Sequence, residues 1–164
     1  MRDMDYLAVA QTAIDRIRAG AFLTVRAGER LNTMTIGWAF IGFCWRKPMF
    51  VVAVRDSRHT FALIEEAEDF TVSIPSGDMR EAIQFCGTRS GRDVDKFAAC
   101  GLKATAGRRV TSPIVDAAGL HFECHIVYRS AMDPAFLAED LTSLYPQKDY
   151  HTLYFGEIMA CYEI

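Results

Sequence analysis

The sequence predicts a mainly β protein, an antiparallel barrel that is closed or partly open, with Greek-key-like connections and short peripheral helices. Three observations predict it. Six stretches, AFLTVRA, NTMTIGWAF, MFVVAVR, FTVSI, LHFECHIVYR and HTLYFGEIMACYEI, are rich in the β-branched and aromatic residues that strands favour. The helical patterns between them are short and do not alternate regularly with the strands, which argues against a doubly wound parallel sheet. No internal repeat or low-complexity linker interrupts the chain, so 164 residues that are 51% hydrophobic form a single domain, 1–164, with a sizeable core.

In order along the chain, Leu7, Ala10, Ile14 and Ile17 recur at helical spacing and Gly20 follows as a stop, predicting an amphipathic helix. The period then changes to that of strands, broken at G-E-R-L, at Arg46-Lys47-Pro48 and at Ile74-Pro75. Helical patterns follow in HTFALIEEAE, MREAIQFC, VDKFAAC and PAFLAEDL, the last opened by Asp133-Pro134 as cap and first-turn residues. The strands FVVAV and TLYFGEIMACY are apolar on both faces, as at a subunit interface, and predict a homodimer.

Charge and composition exclude several classes. A net charge of −3 with scattered arginines offers no concentrated basic face for nucleic acid. No apolar run approaches the ~20 residues needed to span a bilayer, and the acidic N-terminal stretch has no signal-like core, so a cytoplasmic location is expected. The five cysteines, Cys44, Cys86, Cys100, Cys124 and Cys161, are odd in number and contain no C-x-x-C pair; reduced thiols are expected.

Five stretches could carry chemistry. In VAVRDSRHTFALIEEAE a strand ends at Arg55 and a helix begins near Ser57, so unpaired N–H donors meet the hydroxyls of Ser57 and Thr60 and the guanidinium forks of Arg55 and Arg58. That combination suits a phosphate; a plain Ser cap with solvated arginines accounts for the same residues. In LNTMTIGWAF, Asn32, Thr33 and Thr35 could hydrogen-bond a polar ring edge or sugar-like chain, while Met34 and Trp38 offer apolar surface to a flat ligand. A barrel strand with a bulge is the plainer reading of that stretch.

His121, Glu123 and His125 share one face of LHFECHIVY, yet three side chains spaced by two span about 13 Å at ~3.3 Å per residue, too far for one ion, which leaves a polar strand face. His151 opens the last strand where a loop meets the barrel rim, placed to reach a ligand or to sit in solvent. In QFCGTRSGRDVDKF, residues 84–97, Gly87 and Gly91 let the segment fold tightly or lie close against something; a connector between two short helices is the alternative.

Taken together, NTMTIGW, VAVRDSRHT, DFTVSIP, CGTRSGRDVDKF, GLHFEC and HTLYFGEI, in that order and spacing, resemble the flavin reductase family with the FMN-binding split barrel, most closely its flavoredoxin-like branch. The resemblance covers nearly the whole chain. It implies a homodimer that holds FMN near the subunit interface and passes electrons from NADH or NADPH, or from a redox partner protein, to an acceptor. It further implies that Asn32, Thr33, Met34 and Thr35 line the flavin and its ribityl chain, with Trp38 beside them. Arg55, Ser57, Arg58 and Thr60 would hold the phosphate, Ser90 and Gly91 would lie close to the cofactor, and Asp93, Asp95 and Lys96 would fix the following helix. His151 is implied as a catalytic residue bordering the nicotinamide space. Asp56, directly after Arg55, is a departure, since its charge would oppose a phosphate unless it turns outward. FMN held tightly, FMN turned over as a substrate, and a non-catalytic module for a flavin or other anionic ligand all fit these residues.

Overall fold

The computed structural model describes residues 1–164. In chain order its elements are β1 (Arg2–Asp3), α1 (Tyr6–Ile17), β2 (Ala21–Ala27), β3 (Arg30–Ile36), β4 (Phe40–Cys44) and β5 (Lys47–Arg55). They continue with α2 (His59–Ile64), β6 (Asp69–Pro75), α3 (Arg80–Thr88), α4 (Lys96–Cys100), β7 (Ala104–Thr105) and β8 (Ile114–Val115), and end with β9 (Gly119–Ala131) and β10 (His151–Glu163). Two 3₁₀ turns, Pro134–Phe136 and Glu139–Leu144, lie between β9 and β10.

One antiparallel sheet runs in the order β3-β2-β6-β9-β10-β5-β4, with β1 added to β10. Its two end strands, β3 and β4, are neighbours in the chain, joined only by residues 37–39. The sheet must therefore curl until its margins meet, and because those margins do not pair it is a split barrel. The core inside includes Leu23, Val25, Phe50, Val52, Phe70, Val72 and Phe122, contributed by alternate positions of the central strands.

Local chemistry sets most boundaries. Asp5 caps α1 by accepting from Leu7 N, and Gly20, at φ +112°, turns the chain out of the helix into β2. The buried face of α1 is Val9, Ala13 and Ile17, whereas Leu7 and Ile14 are exposed; the helix is where the spacing predicts it, rotated from the expected stripe. α2 stops at Ile64, short of the acidic EEAE run. PAFLAEDL forms no α-helix: Asp133 accepts from Ala135 N at 2.9 Å, but neither 3₁₀ turn buries a residue, and nothing supplies the packing that stabilises a short helix in water.

Candidate functional site

Three elements converge at the rim where the barrel is split. β5 ends at Arg55, β10 begins at His151 directly opposite it in register, and β3 brings Asn32 and Met34 up from the neighbouring margin. The connection from α3 to α4 closes the far side. Between them lies a cleft of about 400 Å³ lined by Asn32, Met34, Arg55, Ser57, Arg58, His59, Thr60, Thr88, Arg89, Ser90, Gly91, Arg92, Lys96, Gln147 and Asp149. Five of these side chains are cationic, Arg55, Arg58, Arg89, Arg92 and Lys96, against the single carboxylate of Asp149.

Backbone carbonyls, rather than acids, aim most of this charge. Arg58 Nη1 donates to the Gly87 carbonyl at 2.9 Å, Lys96 Nζ to the Cys86 carbonyl at 2.8 Å, and Arg92 Nη1 to the Ser57 carbonyl at 3.2 Å. A carbonyl orients a cation without neutralising it, so the charge remains available to a ligand. Lys96 is only 5% exposed, and burial lowers its pKa, with the nearby Arg58 charge acting in the same direction. His59 is lowered as well, by burial and then by the charges of Arg92 and Lys96.

Arg55 is anchored differently. It donates to Asp149 Oδ1 at 2.8 Å and to the Leu144 carbonyl at 2.9 Å, and its guanidinium lies 4.8 Å from the centre of the Tyr145 ring. Ser57 Oγ donates to the other Asp149 oxygen at 3.0 Å. Burial works to raise the Asp149 carboxyl, but the bonds from Ser57 and Arg55 and the Arg55 charge outweigh it and hold the group below the usual carboxylate range.

A second groove of about 270 Å³ continues from the cleft, sharing Met34, Arg55 and Arg58 with it and adding Thr35, Ile36, Gly37, Trp38, Ala53 and His151. It opens along the split itself. The Trp38 ring stands edge-on to His151 with centroids 4.9 Å apart, and His151 Nδ1 shares a 2.7 Å hydrogen bond with the Tyr145 hydroxyl. Burial, and after it the Arg55 charge, lower the His151 pKa to about 4, so its imidazole is neutral at pH 7.

Of the residues that the resemblance places against the cofactor or in turnover, all but Thr33 line the cleft or the groove. Thr33 is fully buried, its hydroxyl accepting from Thr24 Oγ1 at 3.0 Å and donating to the Leu23 carbonyl, so its side chain is not free to serve a ligand. Asn32 is 4% exposed and donates to Thr60 Oγ1 at 2.8 Å, and Thr35 donates to the Ile83 carbonyl at 2.5 Å.

Several details differ from the sequence reading. The helix starts at His59, with Arg58 at the cap position, and Ser57 caps nothing. At six residues α2 contributes little dipole, so side-chain cations carry the positive field. Asp56 is exposed and outside the cleft; the opposing acid is Asp149. Gly91 has no positive φ; a Cβ there would come within 2.2 Å of Asn32 Oδ1 and 2.8 Å of His59 Cδ2, so its bareness serves close packing on two cleft residues. His59, Thr88, Arg89, Arg92, Lys96, Gln147 and Asp149 enter the lining in addition. The basic residues of TRSGRDVDK were visible in the sequence, but their convergence was not.

The His121 and Glu123 face of β9 is polar yet buried. His121 bonds Ser73 Oγ at 3.1 Å and the Ala117 carbonyl at 2.9 Å, and Glu123 accepts from Arg108 N, Arg109 N and the Tyr162 hydroxyl at 2.8, 2.6 and 2.7 Å.

Comparison with known proteins agrees with the fold. The family model described as "Flavin reductase like domain" matches residues 17–164. The flavoredoxin of Desulfovibrio vulgaris (Miyazaki F) is 27% identical, with a TM-score of 0.70 and a match covering 88% of this chain and 69% of that one. An FMN-binding protein from Thermus thermophilus, solved with bound 1-cyclohex-2-enone, is 25% identical, with a TM-score of 0.69 and the same two coverages, 88% and 69%. An uncharacterized protein of Archaeoglobus fulgidus is 25% identical over 138 residues, which are 84% of this chain and 68% of that one. The chain thus spans about two thirds of the length of the relatives it matches.

Proposed function

We propose, from the premise that the chain belongs to the flavin reductase-like domain family, that it is an FMN-binding oxidoreductase that passes electrons from NAD(P)H or a redox partner through the flavin to an acceptor. The observation that carries this reading is the gradient along the continuous site: a cation-lined cleft at one end, a groove that adds Ile36, Trp38 and Ala53 at the other, and Met34, Arg55 and Arg58 common to both. FMN has the matching polarity, a phosphate dianion at one end and a flat aromatic ring at the other. The residues fit the group, and Gly91 leaves the cleft open where a Cβ would push into Asn32.

In this reading Arg58, with Arg89, Arg92 and Lys96 around it, binds the phosphate, and Ser57, Thr60 and Ser90 add hydroxyls. Asn32 and the main chain at Thr33 lie along the ribityl chain, and Met34, Thr35 and Trp38 border the ring. When bound, FMN supplies the hydride- and electron-accepting chemistry; the chain's own residues bind and orient it and keep water from its ring. His151, neutral and pinned by Tyr145, holds Trp38 in place at the ring edge and adds no charge of its own there.

A homodimer belongs to the same proposal, on one of the two strands that suggested it and the aromatic residues beside it. FVVAV is buried on both faces within one chain. The apolar surface left over is an aromatic cluster of Trp45, Tyr128 and Phe155, with Phe43 68% and Trp45 56% exposed. No helix is long and apolar enough to cross a membrane. The five free thiols accord with a reducing, cytoplasmic setting.

The reading is tested by titrating the protein with FMN and riboflavin and then supplying NADH or NADPH. FMN is expected to bind at least tenfold more tightly than riboflavin, and NAD(P)H oxidation to depend on added or bound FMN. Equal affinity for the two flavins would remove the phosphate assignment. FMN binding without turnover with either nucleotide, or with a reduced electron-carrier protein, would reduce the protein to a flavin-binding module.

A further inference from the structure

We propose that Cys86 and Cys100 are a peroxide-responsive thiol pair whose oxidation to a disulfide staples α3 to α4 and weakens anion binding in the adjoining cleft. The two residues lie 14 positions apart, too far for any short-range motif to signal them, but α3 and α4 pack together and bring both into one small apolar cluster with Phe22, Val115 and Phe97. Within it Cys100 packs against the buried Phe22, Cys86 and Val115, and the charge of one thiol is felt by the other.

Their surroundings differ in a useful way. Cys100 lines an open groove of about 750 Å³ together with Met79, Phe85 and Ala99, so a small solute reaches it. Cys86 sits behind it, 1% exposed. Burial, and then the Cys100 charge, raise the Cys86 pKa, while the Lys96 charge opposes them; Cys86 is accordingly the second thiol to react. The other buried cysteines, Cys124 and Cys161, lie in the barrel core without such an opening.

The chemistry balances with hydrogen peroxide as oxidant. The Cys100 sulfur attacks the O–O bond and becomes a sulfenic acid as one water leaves. The Cys86 sulfur then displaces the sulfenic oxygen, which departs with the Cys86 proton as a second water. Two thiols are oxidised to one disulfide and one peroxide is reduced to two waters.

The last turn of α3 links this pair to the cleft. Lys96 is held on the carbonyl of Cys86 itself and Arg58 on that of Gly87. Drawing Cys86 toward α4 moves both carbonyls and the two cations fixed to them. This coupling rests on the phosphate reading of the cleft; formation of the disulfide does not.

The full chain, reduced and then treated with hydrogen peroxide, is blocked with N-ethylmaleimide and digested with trypsin. Cleavage after Arg80, Arg89, Lys96 and Lys103 puts the two cysteines in separate peptides, 81–89 and 97–103. The expected result is a cross-link between these peptides, two hydrogens lighter than their sum, with Cys124 and Cys161 still blocked as thiols. The oxidised protein is expected to bind FMN at least fivefold more weakly, with riboflavin unchanged and dithiothreitol restoring the original affinity. Cys100→Ser, a mild change at a half-buried position, should abolish both effects. Accumulation of sulfinic Cys100 without the cross-link would overturn the proposal. A cross-link that leaves FMN affinity unchanged would overturn the coupling alone, and failure of the reduced protein to bind FMN would count against the flavin reading and not the thiol pair.

Discussion

The cleft at the ends of β3, β5 and β10 and the buried network beneath residues 106–113 are built from the same kinds of group, and they differ in what is left over. In the buried network every acceptor is matched. Glu123 receives two backbone N–H groups and a tyrosine hydroxyl, and Asp69 receives Thr111 N, Thr111 Oγ1 and Ser112 N at 2.8, 2.8 and 2.9 Å. In the cleft, five cations face one carboxylate, and three of them lean on carbonyls that orient their charge without cancelling it. A polar cluster that satisfies itself holds a loop; one with uncompensated charge of a single sign attracts the opposite charge.

The largest effect expected from this contrast is on the satisfied side. Glu123→Ala removes a fully buried carboxylate and strands the buried Tyr162 hydroxyl and two part-buried backbone donors, and should cost roughly 2 to 4 kcal/mol in denaturant unfolding. The fraction that remains folded should bind FMN as before. A loss below about 1 kcal/mol would mean that water replaces the carboxylate and that the network is not closed.

On the unsatisfied side, Arg58→Ala should weaken FMN binding by roughly 1.5 to 3 kcal/mol, about ten- to more than a hundredfold, while riboflavin affinity and unfolding free energy stay nearly constant. Equal losses for both flavins would show that Arg58 shapes the cleft and does not bind the phosphate.

Gly91→Val bridges the two classes, because its added carbons collide with Asn32 and His59 and should break the Asn32–Thr60 bond. An FMN affinity at least tenfold lower is expected, with a stability loss of about 1 to 2 kcal/mol, less than a core truncation. Normal binding would leave residues 84–97 as a connector.

A smaller and opposite change is expected from Asp149→Asn. Removing the one opposing charge should tighten FMN by roughly fivefold, about 1 kcal/mol, with no effect on riboflavin. Weaker FMN binding would mean that Asp149 serves chiefly to orient Arg55.

The smallest effect is on pH dependence. The folded protein holds His151 neutral, with its pKa lowered from 6.5 to about 4, whereas the unfolded chain takes up that proton near 6.5. The unfolded state therefore binds more protons across this window, and stability should fall as pH drops from about 6.5 toward 4. His121, also lowered by burial, adds in the same sense. His151→Asn should flatten the thermal-denaturation profile in this range; an unchanged slope would assign it to His121 or the carboxylates.

The barrel was legible because its evidence is local: β-branched and aromatic runs ended by glycine or proline mark strands wherever the partners lie. The cleft was only half legible. Asn32, Arg55, Ser57, Arg58 and Thr60 stand out because they interrupt or follow apolar strands, but Asp149 does not, since what brings it to Arg55, 94 residues away, is the pairing of β5 with β10. Lys96 reads as an ordinary surface lysine before a short helix, and only the packing of α4 against α3 turns it inward. The stripe of α1 was misplaced because Leu7 and Ile14 are apolar enough to mimic a core face that Val9, Ala13 and Ile17 in fact supply.

The three residues that join the unpaired margins of the sheet also give the fold a means of adjustment. Gly37, Trp38 and Ala39 set how far apart β3 and β4 stand, and the second groove is lined by β3, by Gly37 and Trp38 of this link, and by the ends of β5 and β10. Lengthening or shortening this link by one residue would change the width of the slot without touching a cation of the cleft or a strand of the core. On the proposed reading, link length would then bear on the bulk of the molecule admitted beside the ring more than on the grip on the phosphate.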